Sequence, residues 1–178
     1  MQVWIALFRG INVGGNNIVP MAALRTALSD AGFKDVRTYI QSGNVVFQAD
    51  GTSETLRQKI ENIVEAKFGF EPKLMLFSCG DIEAALSANP FQDAEADPKT
   101  LHLMFMDGVP LDPDLKAIES LKSTSESFRL LGAVFYMHAP DGVGRSKLFA
   151  RAGRLLGVPA TGRNWRSVTK IHQLAREY

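Results

Sequence analysis

The sequence predicts an α+β protein of two consecutive halves, each built in the order β-α-β-β-α, with an additional helix at the C-terminal end. Three observations predict it. The first segment is apolar on both of its alternating faces, hairpin signals stand at Ser42-Gly43 and at Gly132, and each hairpin is bracketed by stretches with apolar residues at helical spacing.

Gln2 to Arg9 carries Val3, Ile5 and Leu7 on one side and Trp4, Ala6 and Phe8 on the other, as in a central strand covered twice. After the loop Gly10 to Val19, Pro20 suits a first helical position, and Leu24, Ala27, Leu28 and Ala31 form a stripe that ends at Gly32. Strands are expected at Val36 to Gln41 and Asn44 to Gln48, joined by Ser42-Gly43. Thr52 and Ser53 are caps for a long helix bearing Leu56, Ile60, Ile63, Val64 and Phe68 and closed near Gly69. Lys73 to Ser78 reads as a strand. Residues 1–80 thus follow β-α-β-β-α-β, the order of a ferredoxin-like split βαβ unit. Such a sheet carries helices on one face only, so the other half or the terminal helix has to cover the side bearing Trp4 and Phe8, and Trp4 is expected to be buried.

Residues 81–178 form the second half. A short helix from Asp81 to Ala88 stops before Asn89-Pro90, and the acidic stretch Phe91 to Thr100 reads as a loop. Leu101 to Asp107 is a strand. Asp112-Pro113 is a cap and first-turn proline for a helix presenting Leu115, Ile118 and Leu121. Ser127 to Leu131 and Ala133 to His138 pair around Gly132, and Ser146 to Leu156 repeats helical spacing. The half ends as β-α-β-β-α, a second ferredoxin-like subdomain lacking the last strand. A surplus helix starts at Asn164 and places Trp165, Val168, Ile171 or His172, and Ala175 on one face.

Apolar residues make up 46% and charged residues 22%, which places the chain among globular proteins and far from disorder. At 178 residues it buries roughly 70% of its unfolded surface. No run approaches the ~18 apolar residues of a membrane helix, and the N-terminus enters a strand rather than a signal peptide, so the protein reads as cytoplasmic. A single cysteine, Cys79, excludes an internal disulfide framework. Lys and Arg against Asp and Glu number 8 and 7 up to Gly80, 4 and 10 from Asp81 to Ala139, and 8 and 2 from Pro140 onward. Either an anionic partner meets the basic tail, or the acidic middle and the tail neutralise each other within the fold.

Three clusters are candidates for ligand binding. Arg9, Asn12, Gly14, Gly15, Asn16 and Asn17 lie in a strand-to-helix connection richer in Gly and Asn than a turn requires. Two readings fit it: backbone N–H groups facing an anion near a helix N-terminus, or a loop of left-handed residues whose Asn side chains satisfy their own backbone. It matches neither a phosphate-binding loop ending in Lys-Ser/Thr nor G-x-G-x-x-G. Gln41, Ser42 and Asn44 surround the first hairpin, whose turn chemistry accounts for Gly43 and Asn44 without function.

Arg145, Ser146, Lys147, Arg163, Asn164, Trp165 and Lys170 form the third cluster, with cations beside two helix starts. A cation there opposes the helix dipole, and an anionic ligand relieves that arrangement. Lys147, Arg151 and Arg154 lie on one helical face, which a solvated stripe also explains. His102, His138 and His172 have no ligand spacing, so no metal site is expected, and no cofactor motif is present.

Phe8-Arg9-Gly10-Ile11-Asn12-Val13-Gly14-Gly15-Asn16-Asn17, Val19-Pro20-Met21 and Thr38-Tyr39-Ile40-Gln41-Ser42-Gly43-Asn44-Val45-Val46-Phe47 strongly resemble the bacterial family catalogued as domain of unknown function 1697. Ser146-Lys147-Leu148 and Thr161-Gly162-Arg163-Asn164-Trp165-Arg166-Ser167-Val168-Thr169-Lys170 resemble its C-terminal motif. The resemblance runs nearly end to end and implies a pair of ferredoxin-like subdomains, but no reaction. Ile18 stands where the family pattern is often basic, which weakens the anion reading of the first loop.

Three function classes follow. One is a protein that binds a small anionic or nucleotide-like ligand at the junction of the halves, between the Gly/Asn loop and the Arg163 segment. The second is an RNA- or DNA-binding module, for which the first hairpin supplies only Phe47 as a stacking aromatic. The third is an enzyme whose Arg145, Lys147 or Arg163 stabilises an anionic transition state, although no positioned base or nucleophile is visible.

Overall fold

A strand whose two faces are both apolar has to be buried on both, and β1 (Gln2–Arg9) is: Trp4 through Phe8 are each at most 7% exposed. In the computed structural model, which describes residues 1–178, the chain folds as an α+β protein with two four-stranded antiparallel sheets and six helices. It forms two compact units, Met1–Ala84 with Thr169–Tyr178, and Ala85–Val168. No helix is long and apolar enough to cross a membrane.

In the first unit, β1 pairs with both β3 (Asn44–Ala49) and β4 (Lys73–Ser78), and β2 (Lys34–Tyr39) forms the edge beside β3, giving the order β2-β3-β1-β4. Helices α1 (Met21–Asp30) and α2 (Ser53–Phe68) bury Leu24, Leu28, Ile60 and Val64 in one cluster with Trp4, Ala6 and Phe8. Phe33 packs edge-on against Phe47, with centroids 4.9 Å apart. Thr52 caps α2 by accepting the Thr55 N–H, while Thr55 Oγ1 accepts the Thr52 N–H.

Trp4 is therefore buried as expected, but on the opposite face from the one anticipated. The Trp4, Ala6 and Phe8 side is the one that carries α1 and α2, and Ile5 and Leu7 lie on the other, equally buried side. Period-two patterning fixes which residues share a face. It says nothing of which face receives the helices when both are apolar.

The edge strand β2 also differs from expectation. It begins at Lys34 and stops at Tyr39, because Ile40 turns to φ +48° and leaves the ladder. The helix α3 (Cys79–Ser87) follows β4, and the acidic stretch after it is not a bare loop but holds a short 3-10 helix, Gln92–Ala96.

The second unit contains β5 (Leu101–Met106), α4 (Leu115–Leu121), β6 (Ser127–Leu131), β7 (Val134–His138), α5 (Lys147–Leu155) and β8 (Ala160–Asn164). Its sheet order, β6-β7-β5-β8, places β5 centrally with all six residues buried. Met104, Met106, Phe135 and Met137 pack with Ile118 of α4, with Leu148 and Ala152 of α5 and with Leu156 just after it.

The expected second half lacked β8, and the structure supplies it. Ala160-Thr161-Gly162-Arg163-Asn164 has no apolar alternation, so its sequence reads as loop. It becomes a strand by pairing with β5, Met104 opposite Gly162. The cap of α4 is Asp114, whose Oδ1 accepts the Ala117 N–H at 2.9 Å, rather than Asp112.

Helix α6 (Trp165–Ala175) follows β8 directly, capped by Asn164 Oδ1 on the Ser167 N–H at 2.9 Å. Its residues from Thr169 onward belong to the first unit. There Arg37 Nη1 meets Glu177 at 2.6 Å, and the Tyr178 hydroxyl donates to the carbonyls of Asp35 and Val46.

Candidate functional site

Within the first unit, the Gly/Asn loop and the β2–β3 hairpin come together, joined by the Asn12 amide on the Gln41 carbonyl. The Asn16 N–H donates to the Val13 carbonyl across Gly14 and Gly15 at φ +60° and +77°, a two-residue turn that only such glycines take easily. The Asn12 amide donates to the carbonyls of Val19 and Gln41, each at 2.9 Å, and its oxygen accepts the Val19 N–H at 2.7 Å. The Asn17 amide donates to the Gly10 carbonyl at 3.2 Å.

On the hairpin side, Asn44 is fully buried and donates to the Tyr39 carbonyl and Ser42 Oγ. Gly43, at φ +76°, accepts the Phe8 N–H at 2.8 Å, and a Cβ on it would lie 2.6 Å from Phe8 Cβ. These residues weld a loop to a turn. Arg9 is exposed at the end of β1 opposite Lys73. Phe47, the aromatic that an RNA-stacking sheet would present, is fully buried under the helices.

The third cluster divides. Arg163 on β8 is buried, its Nη1 donating to Thr161 Oγ1 at 2.9 Å and to the Gly162 carbonyl at 2.8 Å, and burial pushes its pKa down to about 10. Asn164 is the α6 cap, Trp165 is buried, and Lys170 donates to Gln173 Oε1 at 3.1 Å. Thr161, Arg163 and Trp165 thus sit inside the fold. On the neighbouring β5, His102 is 8% exposed and lies edge-on to Phe149, with centroids 5.2 Å apart. Its Nδ1 makes no well-formed hydrogen bond, and burial holds its pKa below the ordinary histidine range, opposed by the Thr100 backbone.

Arg145, Ser146 and Lys147 are placed differently. They line an open cavity of about 880 Å³ in the second unit. Ser146 caps α5, its Oγ accepting the Phe149 N–H at 3.0 Å, and the first-turn N–H groups of Lys147 and Leu148 precede any helical carbonyl able to accept them. Both cations are exposed, and neither has a carboxylate within ion-pair distance.

The opposite lining comes from the end of α4 and the segment after it: Ser120, Lys122, Ser123 and Glu126, with Asp141 near the rim. Lys122 is paired with Glu119 at 2.8 Å. Glu126 is buried and accepts the Ser123 N–H, and Asp141 accepts the Ser125 hydroxyl. Sequence reasoning missed this wall because no spacing relates Ser120 to Arg145. Only the packing of α4 on α5 brings them to one cavity.

The model of a family described as "Protein of unknown function (DUF1697)" matches residues 1–136. The chain belongs to that family. Among solved structures, it is similar to a conserved bacterial protein of Streptococcus pneumoniae, with 28% identity over 98% of each chain and a TM-score of 0.76. No curated protein matches the chain. The family match covers the Gly/Asn loop and the first hairpin in full and stops before the Arg145 cavity wall.

Proposed function

We propose that this family member is a binding protein for a small phosphate-bearing, nucleotide-like anion, seated in the cavity at the start of α5. The observation that carries the reading is a cavity of about 880 Å³ lined at the start of α5 by two cations without an ion-pair partner, Arg145 and Lys147. Cations at a helix N-terminus oppose the macrodipole, and an anion between them and the N–H groups removes that penalty. Ser120, Ser123 and the carboxylates of Glu126 and Asp141 offer acceptors and donors to the hydroxyls of an attached sugar or polyol.

The scaffold behind this site is read as two tandem ferredoxin-like subdomains. The strand orders β2-β3-β1-β4 and β6-β7-β5-β8 support that reading, each a central first strand flanked by the third and fourth.

The test is a thermal-shift panel of orthophosphate, sugar phosphates and nucleotides. A ligand at ~100 times its Kd adds ~2.7 kcal/mol, a rise of roughly 5 to 10 °C for a chain of this size. Arg145→Gln/Lys147→Gln should abolish the shift. A panel in which no phosphate compound moves the wild-type melting temperature would sink the reading.

A further inference from the structure

Arg145 and Lys147 are not the last unpaired cations on this wall. A second cavity of about 470 Å³ continues along the α4–α5 seam, sharing Ser120 and Leu121 with the first and lined further by Arg151 and Arg154. Both arginines are exposed and without an ion-pair partner. On α5, Lys147, Arg151 and Arg154 lie on one face, about 6 and about 10 Å apart along the axis when counted from Lys147. The α4 wall facing Arg151 and Arg154 is Ala117, Ser120 and Leu121, with no carboxylate among them, while the first cavity holds Glu126 and Asp141 with Lys147.

We infer that the α4–α5 seam binds a linear polyphosphate, its terminal phosphate at the start of α5 and its following phosphates over Arg151 and Arg154. Lys147, Arg151 and Arg154 on one helical face repel one another, and a chain of phosphates is the anion that neutralises them in sequence. A nucleic-acid strand carries the same charge but uses aromatic platforms for its bases, and neither cavity has an aromatic side chain in its lining. The inference rests on the phosphate reading of the first cavity and extends it to a chain.

Titration calorimetry on the full chain separates the two. Tripolyphosphate should bind at least tenfold more tightly than orthophosphate, and Arg151→Gln/Arg154→Gln should remove that increment while leaving orthophosphate affinity unchanged. Equal affinity for the two ions, or an unaltered preference in the double variant, overturns the polyphosphate inference alone. Failure of orthophosphate and tripolyphosphate alike overturns the underlying reading with it. A single-stranded RNA oligonucleotide that displaces tripolyphosphate at lower concentration than tripolyphosphate displaces it would also overturn the inference, in favour of nucleic acid.

Discussion

The two units share a strand order but treat their polar residues in opposite ways. In the first, Asn12 and Asn44 donate to the backbone carbonyls of Val19, Gln41 and Tyr39, and the Gly43 carbonyl accepts the Phe8 N–H. In the second, Arg145 and Lys147 line an open cavity at the start of α5 without an ion-pair partner. The lesson concerns what a polar-rich string means. A run of Gly and Asn beside a strand is not a binding loop by composition alone, since here the Asn12 and Asn17 amides are spent on backbone carbonyls.

Substitutions can break this contrast, beginning with the largest effect. Gly43→Ala forces a Cβ to 2.6 Å from Phe8 Cβ at φ +76°, so unfolding by denaturant should show a loss of ~3 kcal/mol or more. A loss under ~1 kcal/mol would mean that the hairpin does not press on β1 as described. Asn44→Ala leaves the Tyr39 carbonyl without its buried donor and should cost ~2 to 3 kcal/mol. Any phosphate binding by the second unit should survive it, and its loss would place Asn44 in a binding site after all.

The next effect is one of pH. His102 has its pKa lowered in the folded state, chiefly by burial, so between that value and the ordinary ~6.5 the unfolded chain binds more protons than the folded one. Its contribution is therefore intact above pH ~6.5 and declines as pH falls through that value. His102→Phe, which keeps a ring against Phe149, should flatten the acid side of the stability curve; an unchanged slope between wild type and variant would show that the imidazole is already solvated. The smallest stability effect belongs to Arg145→Gln/Lys147→Gln, which should stay within ~0.5 kcal/mol without ligand. A larger destabilisation would show that these side chains hold the fold, as Asn12 and Asn44 do.

Much of this was legible beforehand. Helix α2 was readable from the Thr52 cap, the Leu56, Ile60 and Val64 stripe and Gly69, because each signal is local and they agree. Asn164 was readable as a cap for the same reason. Strand β8 was not, since Thr161-Gly162-Arg163 acquires its conformation from β5 and, at Gly162, from the nearness of Phe149, whose ring lies 3.3 Å from where a Cβ would be. The start of α5 was visible as a basic helix N-terminus, but its cavity was not, because Ser120 and Glu126 arrive from another element.

By itself the sequence determined which residues alternate on β1, where helices start and stop, and that cations gather after Pro140, since these follow from periodicity, capping and composition within a few residues of chain. Only the tertiary structure decided that the Trp4 face carries the helices, that Asn12 reaches the Gln41 carbonyl, and that Arg145 faces Ser120 across a cavity. Those outcomes depend on which surfaces pack together. That choice is made by burial summed over distant segments, which no local pattern encodes.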